Sequence, residues 1–335
     1  CPHILAEPQR TNLLTYSEAF SSNWEQNGST ILTVTDNATT SPDGTANACK
    51  VLADGTGYSY LRKLESTSLG TTFTIFAKKD NWRYIGLRND ANGAHDVFDF
   101  DTETFTKNQA TNTVSFDRLS DGWYRLSVTK PTEPSSYVGI CVPENTSGAE
   151  SVTLTNASVF IWGAQLEEGS YATSYIPTSG STVTRNQDIF TRDGIGSLIN
   201  STEGCVFGEG NFAESNSSIY NYFVSLSDGT SNNRLEIRQS ASNLQFLWRV
   251  ATYQSEISTS SLDVSSNFKF ALNYSAANIK FYVNGNLIGT INTPTLWSAN
   301  TLNRLAFDNG TGGDRLSGKV KQLQVYDTAL TDEQL

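Results

Sequence analysis

The chain has 335 residues, 37% of them hydrophobic and 11% aromatic, enough for two domains with real cores. Only 17% are charged and the formal net charge is −11, so a nucleic-acid binder, which needs a basic stripe, is excluded. The same charge disfavours anionic membranes, and it would repel acidic polysaccharide unless a cation bridged the two.

The opening segment C-P-H-I-L-A-E-P-Q-R-T-N-L-L-T-Y-S holds two prolines and reads as an extended arm, with Leu13 and Leu14 entering a first strand. Ser17–Phe20 predicts one helical turn capped by Ser17. Strands are then expected over Ile31–Thr35, Ala48–Leu52, Tyr58–Leu64, Thr72–Ala77, Tyr84–Arg88 and Asp96–Phe100. Further strands are expected over Thr113–Leu119, Trp123–Thr129, Tyr137–Val142 and Ser158–Gly163. In F-T-I-F-A, Phe73, Ile75 and Ala77 share one face; in W-Y-R-L-S-V-T, Tyr124, Leu126 and Val128 do. Turn clusters such as S-P-D-G, N-D-A-N-G and S-D-G separate the strands.

The stretch Ser158–Thr178 divides the chain. Its apolar start (Val159, Phe160, Ile161, Trp162) suits a buried strand. It turns polar through Gln165, Glu167 and Glu168 and breaks at Gly169, and Pro177 stops any ladder. It reads as the last strand of one domain and the exit to a second. The expected layout is residues 1–178 with the N-terminal arm, a Ser/Thr-rich linker over 179–192, and a second domain over 193–335.

In the second half, strands are expected over Cys205–Glu209, Tyr222–Ser227, Arg234–Gln239, Leu244–Val250, Phe268–Asn273, Asn278–Val283, Leu287–Thr290, Arg304–Phe307 and Lys319–Tyr326. Asn284-Gly285 between two apolar runs is the signature of a type I′ hairpin. The end, T-A-L-T-D-E-Q-L, predicts a short helical turn capped by Thr331. Many short strands with regular turns predict an all-β fold with two jelly-roll or β-sandwich domains in tandem.

No apolar run reaches the length of a transmembrane helix. The chain lacks methionine and starts Cys1-Pro2, so it reads as part of a longer or processed chain. Cys1, Cys49, Cys141 and Cys205 show no C-x-x-C spacing and read as buried free thiols, with a Cys49–Cys141 disulfide as the open alternative.

Two resemblances cover nearly all of the chain. The runs F-A-L-N-Y-S-A-A-N-I-K-F-Y-V-N-G-N-L-I-G-T and L-S-G-K-V-K-Q-L-Q-V-Y-D-T-A-L-T-D-E-Q-L make residues 193–335 resemble the laminin-G/concanavalin A-like jelly rolls. The runs E-P-Q-R-T-N-L-L-T-Y-S-E-A-F, D-G-W-Y-R-L-S-V-T and I-W-G-A-Q-L-E-E-G-S-Y-A-T-S-Y-I-P-T make the first half similar to a module common in phage virion proteins and secreted proteins of marine bacteria. That module resembles the galactose-binding-like carbohydrate-binding jelly rolls. Together they imply adhesion to glycans, as part of a phage tail or head fibre; they imply no catalytic mechanism.

Little in the sequence points to catalysis. His3 and His95 are the only histidines, one in the arm and one in a turn. No H-E-x-x-H, Walker loop or G-x-S-x-G is present. Glu236 has no acidic partner two or four positions away, and Glu256 and Asp263 fall in Ser/Thr-rich loops, so the paired carboxylates of a glycosidase are not in view. Asp99, Asp101 and Glu103 alternate along D-F-D-T-E-T-F, as the wet face of an edge strand or as a cation site.

Sugar binding asks for aromatics that stack on C–H faces, with amides, carboxylates or arginines reading hydroxyls. The candidates are Tyr58 and Tyr60 on one face after a loop, Trp82 and Arg83 in K-K-D-N-W-R-Y, and Arg88 further along that strand. In the second half they are Trp248 and Arg249 in L-Q-F-L-W-R-V, with Tyr253 after it. Trp297 sits in a loop and is expected to be exposed. Asp308, Asn309 and Asp314 in D-N-G-T-G-G-D offer hard oxygen ligands for structural calcium, or form a plain Gly-rich loop; no other cofactor is expected.

The reading is therefore a non-enzymatic virion adhesin that binds host-surface polysaccharide or glycan alongside other virion proteins. The family habit implies a homotrimer at the virion surface. The alternatives are tandem carbohydrate-binding modules of a secreted bacterial polysaccharide-degrading protein, or a capsid or tail decoration protein with no ligand.

Overall fold

The structure is a computed structural model. It describes residues 3–26, 31–65, 67, 70–131 except 91–94, 137–149, 151–214 and 217–335, without the side chains of Asp90, Tyr253 and residues 217–219. Among these residues the regular structure is strand throughout, apart from a single helical turn at Phe20–Asn23 and a 3₁₀ turn at Ser120–Gly122. The chain forms two compact units: Arg10–Arg185, and Cys1–Gln9 together with Asn186–Leu335.

The unit Arg10–Arg185 is built on two antiparallel six-stranded sheets. One runs in the order Thr113–Arg118, Trp123–Lys130, Thr71–Lys79, Ser151–Glu168, Ala48–Tyr58, Leu32–Thr39. The other runs Thr104–Thr106, Asp96–Asp99, Tyr84–Asp90, Tyr137–Cys141, Tyr60–Leu64, Glu25–Gln26. The alternation read from the sequence sets the core: Phe73, Ile75, Ala77, Leu126 and Val128 of the first sheet share one cluster with Leu61, Ile85, Leu87, Phe98 and Val138 of the second. The helical turn begins at Phe20 rather than Ser17, and its N-cap, Ala19, makes no side-chain cap. Ser17 instead binds Thr178: its Oγ donates to the Thr178 carbonyl and accepts from the Thr178 amide.

The strand expected to end at Gly163 continues to Glu168, because a bulge between Trp162 and Gln165 shifts its register. Gly163 takes φ 60° there, and a Cβ would come within 2.9 Å of the Phe76 ring. The extra residue exchanges the two faces. Val159 and Ile161 point into the core before it and Ala164 and Leu166 after it, so Gln165 and Glu167 turn away from the core. The returning segment covers both. Thr173 donates its amide and hydroxyl to Glu167, and the Ile176 amide donates to Gln165. Asn12 closes the same seam: its amide donates to the Ala164 and Ile176 carbonyls, and its oxygen accepts from the Leu14 and Leu166 amides. All four hydrogen-bonding positions of this buried side chain are used.

The other unit also holds two antiparallel six-stranded sheets. The first runs Ile4–Ala6, Gly318–Tyr326, Gly204–Phe212, Phe268–Tyr274, Asn278–Val283, Asn286–Asn292. The second runs Thr191–Asp193, Arg304–Ala306, Ser217–Ser227, Asn233–Ala241, Asn243–Val250, Tyr253–Ser258. Phe212, Phe223, Phe246, Trp248, Phe268, Phe270 and Phe281 fill the space between. Asn284 and Gly285 both have positive φ, 50° and 79°, as a type I′ hairpin requires. The C-terminal stretch forms a turn in place of a helix, in which the Gln334 side chain accepts from the Thr331 amide and its own amide donates to the Thr331 carbonyl.

The expected boundary differs from this division at both ends. Ile4–Ala6 pairs with Gly318–Tyr326, so the arm's first residues belong with the second half. Val183–Arg185, expected in a linker, pairs with Arg10–Asn12. Proline content alone had marked the arm as irregular; its ladder partners lie hundreds of residues away. Cys49, Cys141 and Cys205 are buried free thiols. Cys49 and Cys141 lie on different sheets and the disulfide alternative is not formed; Cys1 lies outside the described residues.

Candidate functional site

In the unit Arg10–Arg185, the predicted residues separate into two groups. Trp82 is half-buried, packs against the core and donates its indole N–H to the Pro143 carbonyl at 2.8 Å. Arg83 is committed to Asp99 through two hydrogen bonds of 2.7 and 2.6 Å. The Arg83 guanidinium holds the Asp99 carboxyl down at about 2. The other acids of that stretch are also paired: Asp101 with Lys79 and, at 3.6 Å, with Arg83, and Glu103 with Arg118 and the Tyr124 hydroxyl. No group of three His, Cys, Asp or Glu residues suited to a metal occurs among the described residues. His95, read from the sequence as lying in a turn, is fully buried.

Tyr58, Tyr60 and Arg88 fall together. Register places Tyr60, Arg62, Gly139 and Arg88 on the face of the second sheet that points away from the core. The Arg62 guanidinium lies between the Tyr60 and Tyr137 rings, 4.7 and 4.0 Å from their centroids, and Arg88 is 5.2 Å from the Tyr137 centroid. Tyr58, 39% exposed, touches Tyr60 at 5.7 Å between centroids. Glu25 accepts from Arg62 at 2.8 Å. Arg62 and Tyr137 were not singled out from sequence; they join the group only through cross-strand register.

In the other unit the sheet face pointing away from the core is ordered in three rows, read from the register of its six strands. The first row runs Asp193, Arg304, Ser227, Arg234, Arg249, Gln254. The second runs Thr191, Ala306, Ser225, Glu236, Leu247, Glu256. The third holds Tyr222, Arg238, Gln245 and Ser258. The intervening residues, among them Leu226, Leu235, Ile237, Phe246 and Trp248, all face the core.

Trp248 is the clearest correction. Expected as a ligand platform, it is fully buried and packs edge-on against Trp297 at 6.3 Å. Leu244, Phe246 and Trp248 form the more apolar face of their strand, and burying that face removes the most apolar surface from water. Trp297, expected to be exposed, is 3% exposed and donates its indole N–H to the Arg249 carbonyl. Arg249 lies on the outer face, where it donates to the Ser231 carbonyl and the Gln254 side chain. The Tyr253 side chain lies outside the described residues; its backbone starts the edge strand of this sheet.

Glu236 is the centre of the face. Its carboxylate is fully buried and has no hydrogen-bond partner among the described residues. It is flanked by Arg234 Nε at 2.8 Å and Arg238 Nη1 at 3.6 Å. Burial pushes its carboxyl up to about 7, against the pull of Arg234, Arg238 and Arg249. Arg238 also donates to Gln245 at 2.7 Å and to the Tyr222 hydroxyl at 3.4 Å, and its guanidinium stacks 4.1 Å from the centroid of Tyr220, a ring 47% exposed. Glu256, expected in a loop, is on the edge strand and comes within 3.9 Å of Arg238. Glu236 and Glu256 thus share a face, with the Arg238 guanidinium reaching both.

The loop proposed for calcium is organised by its own hydrogen bonds. Asp308 pairs with Arg304 at 2.9 and 2.7 Å and accepts from the Gly310 amide. Asn309 accepts from Thr311 and Gly313 and donates to Asp314. A cation would have to displace a two-point arginine pair from Asp308, so this donor set fits calcium poorly.

Residues 211–335 match the laminin-G-type family profile described as the concanavalin A-like lectin/glucanases superfamily. No curated protein matches the chain. Among solved structures, the CBM40 module of the Ruminococcus gnavus IT-sialidase is similar at 15% identity and a TM-score of 0.37, covering 44% of this chain and 96% of that one. A SAP-like pentraxin from Limulus polyphemus is similar at 19% identity and a TM-score of 0.32, covering 41% and 69%. Domain 4 of AbnA, an extracellular arabinanase from Geobacillus stearothermophilus solved with arabinotriose, is similar at 14% identity and a TM-score of 0.35, covering 50% and 80%. The stretch that matches the lectin/glucanase profile is the one that carries Tyr220, Glu236, Arg238, Gln245 and Arg249.

Proposed function

We propose that the protein binds glycans and does not cleave them. One observation carries this: the outer sheet face of the second unit gathers guanidinium, amide and phenol groups from four adjacent strands, joined by hydrogen bonds, with Tyr222, Arg238 and Gln245 buried and Arg249 and Tyr220 more open, in the stretch that matches a lectin/glucanase profile. Donors fixed on strands can read sugar hydroxyls with little loss of rotamer freedom, and Tyr220 at the rim supplies a ring for a pyranose face. The Tyr58–Tyr60–Arg62–Tyr137 group gives the other unit a second face of similar chemistry.

The pair Glu236 and Glu256 does not suit hydrolysis. A glycosidase keeps the space between its carboxyl groups for the scissile bond, and here Arg238 reaches both carboxylates. We place the protein on a phage virion as a trimeric fibre adhesin that contacts host-surface glycan beside other virion proteins; the support is the likeness of its first-half motifs to virion modules. Weak single sites would gain from many copies on one particle. The matched profile spans lectins and glucanases, and that breadth favours a second reading, binding modules of a secreted polysaccharide-degrading protein. The reading needs no metal.

A glycan array probed with the intact protein tests the proposal. Retention on a defined set of glycans is expected. Retention on none would leave a decoration protein without a ligand. Native mass spectrometry separates the two settings: a trimer supports the fibre, a monomer the secreted module.

A further inference from the structure

We infer that the second unit's outer face recognises an anionic group, a carboxylate or a sulfate ester, on an acidic glycan. This rests on the glycan-binding reading and names the ligand class of the same face. Three arginines, Arg234, Arg238 and Arg249, surround one buried carboxylate, Glu236. Arg234 is the closest of them, with Nε 2.8 Å from Glu236. The rim carboxylate Glu256, whose side chain is 53% exposed, comes only to 3.9 Å from Arg238. The fourth arginine of the face, Arg304, is matched by Asp308 and Asp193.

Arg249 carries the argument furthest. Among the described residues its guanidinium donates to the neutral oxygens of Ser231 and Gln254 and forms no ion pair with a carboxylate, although it is half-buried on this face. Arg249 stands opposite Arg234; Arg238 lies two rows on, with the Glu236–Leu247 row between them, shares Glu236 with Arg234 and is stacked on Tyr220. An anion settling between Arg238 and Arg249 would gain charge-assisted hydrogen bonds to planar donors already fixed in place. The chain as a whole repels anions, with a net charge of −11, but the desolvated arginines act at contact range, where fixed charges are screened least. They supply the bridging cation that an acidic polysaccharide would otherwise need.

The test measures binding of the intact protein to three oligosaccharides of matched length: oligogalacturonate for carboxylate, carrageenan oligosaccharide for sulfate, and agaro-oligosaccharide as the neutral control. One or both acidic ligands should bind at least about tenfold tighter than the neutral one, the scale of one charge-assisted hydrogen bond. Arg249→Gln should lose about tenfold on the acidic ligand and nothing on the neutral one. Arg238→Gln should lose at least as much on the acidic ligand and, because Arg238 is among the donors that read sugar hydroxyls, should weaken the neutral one as well; because Arg238 also holds Gln245 and Tyr222, its unfolding transition is checked against wild type, and Arg249→Gln, bonded only to neutral groups, stands if Arg238→Gln fails to fold. Equal or tighter binding of the neutral ligand, unchanged in Arg249→Gln, would overturn the anionic class and leave glycan binding standing. No binding to any of the three, with no retention on the array, would overturn both.

Discussion

Replacing Glu236 by Gln should flatten the pH dependence of the second unit's stability. Glu236 is fully buried, and burial raises its carboxyl from 4.5 to about 7; Asp308 adds to the rise, while Arg234, Arg238 and Arg249 oppose it. In the unfolded chain the same group ionises near 4.5. Between these two values the unfolded chain holds fewer protons than the folded one, so the group's contribution is fully present below about pH 4.5 and is lost as pH rises through about 7. At about 1.4 kcal/mol per pH unit, the gap amounts to about 3 kcal/mol. The assay is calorimetry of the full chain from pH 4 to 8, with the second unit's transition assigned by its response to Phe246→Leu, a change confined to that core. Wild type should lose about 3 kcal/mol more than Glu236→Gln across this range. Other titrating groups are common to both proteins and cancel. Parallel pH profiles would refute the reasoning and mean that the arginines outweigh desolvation.

Other outcomes follow from the same structure. Asn12→Ala removes the acceptor of the buried Leu14 and Leu166 amides and should destabilise the first unit by roughly 2–6 kcal/mol, read from urea unfolding; a loss below about 1 kcal/mol would mean that water replaces the side chain. Calcium and EDTA should leave both thermal transitions in place, because Asp308 is already paired with Arg304; a clear rise with calcium would show that the loop rearranges to bind it. Prolonged incubation with acidic and neutral polysaccharides should release no reducing sugar, and release that is abolished in Glu236→Gln would make the face an active site.

The class of fold could be read from the alternation of single strands. Phe73, Ile75 and Ala77 share a core face as expected, and Asn284-Gly285 turns a hairpin. The misreadings share one cause: facts that depend on register between strands. Trp248 and Arg249 alternate along one strand, so only one of them can face outward, and the apolar row Leu244, Phe246 and Trp248 is the one that faces the core. Glu256 lies in a Ser/Thr-rich run that resembles a loop, and it becomes Glu236's neighbour only through two hairpins. The polar end of the strand Ser151–Glu168 looked like a terminus; a bulge at Gly163 turned Gln165 and Glu167 outward and let the returning chain satisfy them. Asn12 gives no local sign of its role, since three of its partners lie more than 150 residues away.

Hydrogen exchange of the intact protein, with and without the glycan it retains most tightly, tests the central claim most directly. The account predicts added protection in Asn233–Ala241, Asn243–Val250 and the adjoining part of Ser217–Ser227, the strands that carry Arg238, Gln245 and Tyr222. Protection confined to the opposite sheet, at Phe268–Tyr274 and Gly318–Tyr326, or no change at saturating glycan, would contradict it.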